Sequence, residues 1–165
     1  MTLANKVTLL RIALIPLCLI FLLAGFYGLA AVIFLLLSLS DAIDGYIARK
    51  YNQVSELGKM LDPLADKILV MTVLIGLTGL GKASPLAVML IGARELLIAS
   101  LRTDNIFAAS PLAKWKTIAQ VAAVLMLMLN LPLANLVLWA AVLLSLISGG
   151  IYLWQSPTFR QLRSS

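Results

Sequence analysis

The sequence predicts an all-α integral membrane protein of six transmembrane helices with both termini cytoplasmic, and three observations carry that expectation. The chain is too apolar for a soluble domain of its size. Of its 165 residues 62% are hydrophobic and 12% charged, with a mean hydropathy of +1.03, and small domains expose much of the surface they own. Apolar runs approaching the roughly 20 residues of a spanning helix recur from Val7 nearly to Trp154. The basic residues between those runs gather on one side. Residues 1–165 read as a single domain without a cleavable leader: Thr2 to Lys6 is a short polar start, and no small-residue cleavage site follows the first apolar run.

The predicted spans are about 7–25, 29–50, 57–80, 85–103, 111–131 and 134–155. Each break has a local cause. Gly25 to Gly28 makes the first turn, and Lys50 to Glu56 is a polar connection. Ser84-Pro85 and Ser110-Pro111 each offer an N-cap followed by proline at the first helical position. Asn130 to Asn135, with Pro132, makes the last hairpin. Pro16 is expected to kink the first helix, and Pro63 to bend the third. With six spans both ends lie on one side, which holds Lys6, Arg11, Arg49, Lys50, Lys59, Arg102, Lys114, Lys116, Arg160 and Arg163. The other side holds Lys82. Lysine and arginine bias makes the first side cytoplasmic, and the expected location is a bacterial inner membrane. Trp115, Trp139, Trp154, Tyr27 and Tyr152 fall near span ends, as an aromatic belt does. The small-residue run Ser145 to Gly150 suits helix packing within the chain or between two copies.

A net charge of +6 raises nucleic acid as a partner, but the basic residues form no block. Their interleaving with apolar runs suits membrane lipids and phosphorylated substrates instead. Cys18 is the only cysteine and histidine is absent, so acid–base and metal chemistry falls to the seven carboxylates. Four of these, all aspartates, are Asp41, Asp44, Asp62 and Asp66.

Asp41 and Asp44 are three apart on the second helix, and Asp62 and Asp66 four apart on the third, so each pair shares a face. A short connection makes the two helices antiparallel neighbours. Asp41 sits about 13 Å from the end of its helix at 1.5 Å per residue, and Asp66 is similarly deep. The four carboxylates are expected to meet just below the cytoplasmic surface. Four such charges need protonation or cations to coexist. Oxygen-only donors select hard ions, Mg²⁺ or Mn²⁺, and two divalent cations would balance the charge and clamp a phosphoryl group. Gly45 and Gly58 allow close approach of a ligand to backbone, and Arg49 offers a bidentate fork to a diphosphate. Two rival readings remain on chemistry alone. One is structural ion pairing with Arg49, Lys59 and Lys67; the other is a proton relay in a small proton-coupled transporter. A carrier needs polar residues towards both faces, whereas here they gather on one.

The spacing D-x-x-D-G-x-x-A-R-x8-G-x3-D-x3-D, with Asp41, Asp44, Gly45, Ala48, Arg49, Gly58, Asp62 and Asp66 at its fixed positions, resembles the signature of the CDP-alcohol phosphotransferase family. The resemblance implies a homodimer of six-helix subunits with that family's fold. It implies that Asp41 and Asp62 bridge two metals, that Asp44 binds the first and Asp66 the second, and that Asp66 is also the base for the acceptor's hydroxyl. Gly45 and Arg49, with Ala48 and Gly58 of the same motif, would hold the CDP part of CDP-diacylglycerol. Ser55 reads equally as a nucleotide contact or as the N-cap of the third helix. Asn5, Thr8 and Arg11 match the family's N-x-x-T-x-x-R opening at the CDP-lipid site; an interfacial anchor is the plainer reading.

The motif leaves the acceptor open. Arg94-Glu95 lies near the middle of a span, where an arginine needs a polar cavity or a partner. A pair between the two is disfavoured because adjacent helix residues do not face each other. Arg94, Arg102 and Lys116 are therefore expected to form a phosphate-binding cluster, with Lys114 facing elsewhere. The A-R-E and K-x-K-T-x-x-Q runs resemble the branch of the family that uses glycerol 3-phosphate. Thr103-Asp104-Asn105 departs from that branch's usual longer or acidic loop, so inositol phosphate and phosphatidylglycerol stand as alternatives.

Overall fold

The structure, a computed structural model, describes the backbone of residues 3–50, 56–101 and 111–155 and the side chains of 8–40, 64–100 and 114–154. Six helices follow in order: α1 (Leu3–Leu23), α2 (Tyr27–Lys50), α3 (Glu56–Gly79), α4 (Pro85–Leu101), α5 (Pro111–Met128) and α6 (Ala134–Gln155). No strand occurs among the described residues. The boundaries follow the sequence closely. α4 and α5 begin at Pro85 and Pro111, where a proline's missing N–H costs no helical bond. α1 starts earlier than its apolar run, because Asn5 and Lys6 end hydropathy without ending a helix, and it continues through Pro16.

Three turns at one end of the bundle share one construction. Phe26 N–H donates to the Phe21 carbonyl while Gly25 N–H donates to Leu22, with Gly25 at φ +85°. Lys82 and Gly81 bond to Leu77 and Thr78 in the same pattern, with Gly81 at φ +69°. Leu131 and Asn130 repeat it on Met126 and Leu127, with Asn130 at φ 51°. These are Schellman closures, which consume the orphan carbonyls of α1, α3 and α5 and require a left-handed residue. Glycine and asparagine are the residues that adopt it cheaply.

α1 packs on α2 and α3, α6 on α4 and α5, and α3 also touches α2, α4 and α5. The core runs through Leu22, Phe34, Leu69, Leu77, Ile91 and Leu138. Two glycines permit close approach: a Cβ on Gly76 would lie 2.7 Å from Leu19 Cδ1, and one on Gly92 would lie 2.8 Å from Met71 Cε. Cys18 is buried, its thiol directed at the Ala30 carbonyl at 3.5 Å.

The outer surface inverts the usual pattern. Ile20, Leu36, Ile75, Met89, Ile118 and Leu143, one from each helix, are each more than half exposed, while Arg11, Glu95, Lys116, Gln120, Ser145 and Ser148 are buried. Among the described residues one helix, over Ala134–Trp154, is both long and apolar enough to cross a membrane by length and composition alone; the apolar parts of α1 and α2, Thr8–Leu23 and Tyr27–Ser40, are shorter. Among the described residues, Glu95 of α4 and Lys116 of α5 interrupt their helices' hydropathy and are buried in the interior.

Candidate active site

Every helix contributes polar side chains to the end of the bundle opposite the three tight turns. From α1 come Thr8 and Arg11, three apart and both buried. Arg11 Nε donates to Ser40 Oγ on α2 at 3.2 Å, and the Ser40 hydroxyl donates in turn to the Leu37 carbonyl at 2.9 Å. That contact holds α1 against α2 at the residue preceding Asp41. α3 supplies Asp66, half-buried, and Lys67.

The second group centres on Glu95 of α4. Its Oε1 accepts from Arg94 Nη1 at 3.0 Å and from Lys116 Nζ of α5, and its Oε2 lies 3.6 Å from Lys67 Nζ. Arg94 also reaches α6: Nε donates to the Ser145 carbonyl at 3.0 Å and Nη2 to Ser148 Oγ at 3.1 Å. Gly149 makes room for it, since a Cβ there would lie 3.0 Å from Arg94 Nε. Gln120, one turn beyond Lys116, is buried on the same face.

These contacts correct one expectation. Arg94 and Glu95 do form a pair although they are adjacent on one helix. The spacing rule describes where Cβ atoms point, whereas a guanidinium on a long stem is drawn back to a carboxylate when both are withdrawn from water. Arg94 and Lys116 do converge, as predicted, but upon Glu95. Lys114 is exposed while Lys116 is buried, as the spacing implied. The run from Ser145 to Gly149 serves packing within the chain, as the seat of Arg94. Sequence reasoning missed Glu95 as a hub and Lys67 as its partner; the signal available was that a lone acid among intramembrane cations seldom stands unpaired.

Asp41, Asp44, Gly45, Ala48 and Arg49 lie on α2, and Gly58 and Asp62 on α3, two helices in contact. Their side chains lie outside the described residues, as do Ser55, Arg102 and the side chain of Asn5. Among the described residues no group of three or more potential metal ligands occurs. The donor chemistry nonetheless suits a hard cation. Asp66 offers carboxylate oxygen, the chain has no histidine, and the single thiol is buried against a backbone carbonyl.

A bundle with an apolar exterior and charges enclosed at one end defines an all-helical protein built for apolar surroundings that performs polar chemistry at one of its ends. The chain belongs to the CDP-alcohol phosphatidyltransferase family, whose profile matches residues 1–147. It is 39% identical to the CDP-diacylglycerol–glycerol-3-phosphate 3-phosphatidyltransferase of Bacillus subtilis (strain 168), over an alignment covering 99% of this chain and 98% of that protein. The protein of the same name from Rickettsia bellii is also 39% identical, with 91% of this chain and 92% of that one covered. A probable phosphatidylglycerophosphate synthase of Mycobacterium tuberculosis (strain H37Rv) is 39% identical across 91% of this chain and 79% of its own length.

Proposed function

We propose that the chain transfers the phosphatidyl group of CDP-diacylglycerol to glycerol 3-phosphate, yielding phosphatidylglycerol phosphate and CMP. The observation that carries this reading is the near full-length similarity to proteins named for that reaction. The polar end of the bundle supports it, since it gathers cations suited to an anionic acceptor beside Asp66.

Asp41, Asp44, Asp62 and Asp66 would hold two divalent cations, Mg²⁺ or Mn²⁺. When bound, such a pair supplies charge neutralisation to the diphosphate. Gly45 and Arg49, with Asn5 and Thr8 from α1, hold the CDP-lipid. Asp66 takes the proton from the 1-hydroxyl of glycerol 3-phosphate. The freed oxygen forms a bond to the lipid-side phosphorus, the bond from that phosphorus to the oxygen of CMP breaks, and CMP leaves with the electron pair. Arg102 and Lys116 meet the acceptor's phosphate.

All six helices span the membrane in this reading, with both termini and the active site cytoplasmic and two chains forming a dimer. The apolar exterior of every helix supports the spans, since buried charges and exposed hydrocarbon suit a bilayer. The lysine and arginine bias supports the orientation. Purified protein in lipid vesicles with Mg²⁺ and CDP-diacylglycerol should release CMP when glycerol 3-phosphate is added. Release with inositol phosphate or phosphatidylglycerol in its place would reassign the acceptor, and no release with any acceptor would sink the proposal.

A further inference from the structure

The ions enclosed between α3, α4 and α5 are unequal in number. Glu95 faces Arg94, Lys116 and Lys67, so three cations surround one carboxylate and leave an excess of two positive charges among the four groups. The cations also differ in what else they do. Arg94 is tied to the Ser145 carbonyl and the Ser148 hydroxyl of α6, and its side chain is 10% exposed. Lys116 is as deeply enclosed, at 9%. Lys67 is the accessible one, with 28% of its side chain exposed, and it directly follows Asp66. Glu95 is itself lopsided. Oε1 takes both Arg94 and Lys116, while buried Oε2 has no hydrogen-bond donor among the described residues and faces Lys67 from 3.6 Å.

We propose that Glu95 is a positioning residue for the acceptor, holding Lys67 and Lys116 where both meet its phosphate monoester, and that Lys67 is a phosphate contact. This rests on the phosphatidyl transfer proposed above and extends it by two residues. A phosphate monoester carries about −1.5 to −2 at neutral pH, opposite in sign to the excess around Glu95. Lysine ammonium groups on two different helices repel one another, and without an anion between them their flexible stems swing apart. Glu95 prevents that from behind, with Arg94 fixing the carboxylate to α6. It does not touch the phosphate, since two anions in contact would oppose each other. Lys67 directly follows Asp66 on α3, so an acceptor phosphate at Lys67 lies on the same turn of helix as the proposed base.

The test separates acceptor from donor. In vesicles containing the full chain, KM for glycerol 3-phosphate and KM for CDP-diacylglycerol are measured separately for wild type, Glu95→Gln, Glu95→Asp and Lys67→Gln. Glu95→Gln and Lys67→Gln should each raise the acceptor KM about tenfold or more while the donor KM stays within about twofold, as expected when binding to one substrate alone is lost. Glu95→Asp should fall between Glu95→Gln and wild type, because the charge is kept and its reach shortened. A merely structural Glu95 would move both KM values together, and that result overturns the proposal. If Glu95→Gln does not fold, Lys67→Gln at the more exposed position decides: an unchanged acceptor KM overturns the proposal. A wild type inactive with glycerol 3-phosphate would sink the parent reading and this one with it, whereas an active wild type with variants of unchanged acceptor KM sinks this one alone.

Discussion

At one end of the bundle three tight turns, set by Gly25, Gly81 and Asn130, close helices whose interior is hydrocarbon. The charge described there is Lys82, whose ammonium sits 3.1 Å from the centroid of the Tyr27 ring. At the other end six helices bring Thr8, Arg11, Ser40, Asp66, Lys67, Arg94, Glu95, Lys116 and Ser148 inward. The first end is specified within short stretches of chain: a left-handed residue, two backbone bonds and a few packed leucines. The second depends on partners far apart in sequence, such as Arg94 with Ser145 and Lys116 with Glu95. The contrast teaches a division of labour. Damage to the turn end should cost stability and spare chemistry, whereas damage to the polar end should cost chemistry.

Chelation attacks the polar end most severely. Dialysis against EDTA should abolish CMP release, with recovery on adding Mg²⁺; full activity after chelation would break the four-carboxylate site. Asp66→Asn should come next. Loss of the base is expected to lower turnover by about 10²- to 10⁴-fold while CDP-diacylglycerol binding, followed by equilibrium titration, is largely kept. Turnover at the wild-type rate would remove Asp66 from the mechanism.

Mutations at the turn end sharpen the contrast from the other side. Gly76→Val places methyl groups into Leu19 and Leu22, and overpacking of that kind costs about 1–3 kcal/mol. A lower unfolding midpoint with activity per folded molecule within about twofold of wild type is the expected outcome. Alanine at the same site should be milder, because its helix propensity returns about 1 kcal/mol relative to glycine. The smallest effect belongs to Tyr27→Leu. It removes the ring beneath Lys82, a contact of about 0.5–2 kcal/mol, and should show as a modest drop in midpoint without a change in KM for either substrate. A large kinetic effect from either substitution would show that the two ends are coupled.

The division also explains what the sequence disclosed. Helix positions were legible because Pro85, Pro111, Gly25 and Asn130 act on their immediate neighbours. The opposed directions of Lys114 and Lys116 followed from helical periodicity, which needs no knowledge of the partner. The hub at Glu95 was not legible, since its partners arrive from α3 and α5 and no spacing within one helix encodes them. The same holds for Ser145 and Ser148, whose role as a seat depends on an arginine 51 and 54 residues earlier. The expectation that the four aspartates meet rests on the motif and on the contact between α2 and α3.

The seat of Arg94 has a mechanical corollary. One of its bonds ends on a main-chain oxygen of α6, a group that no mutation of a side chain removes, and another ends on a hydroxyl nearby. Twisting α6 about its own axis would tear both bonds while driving Gly149 across the arginine stem. The fourth and sixth helices are thus keyed together like a shaft and its collar, and parting them there costs both bonds.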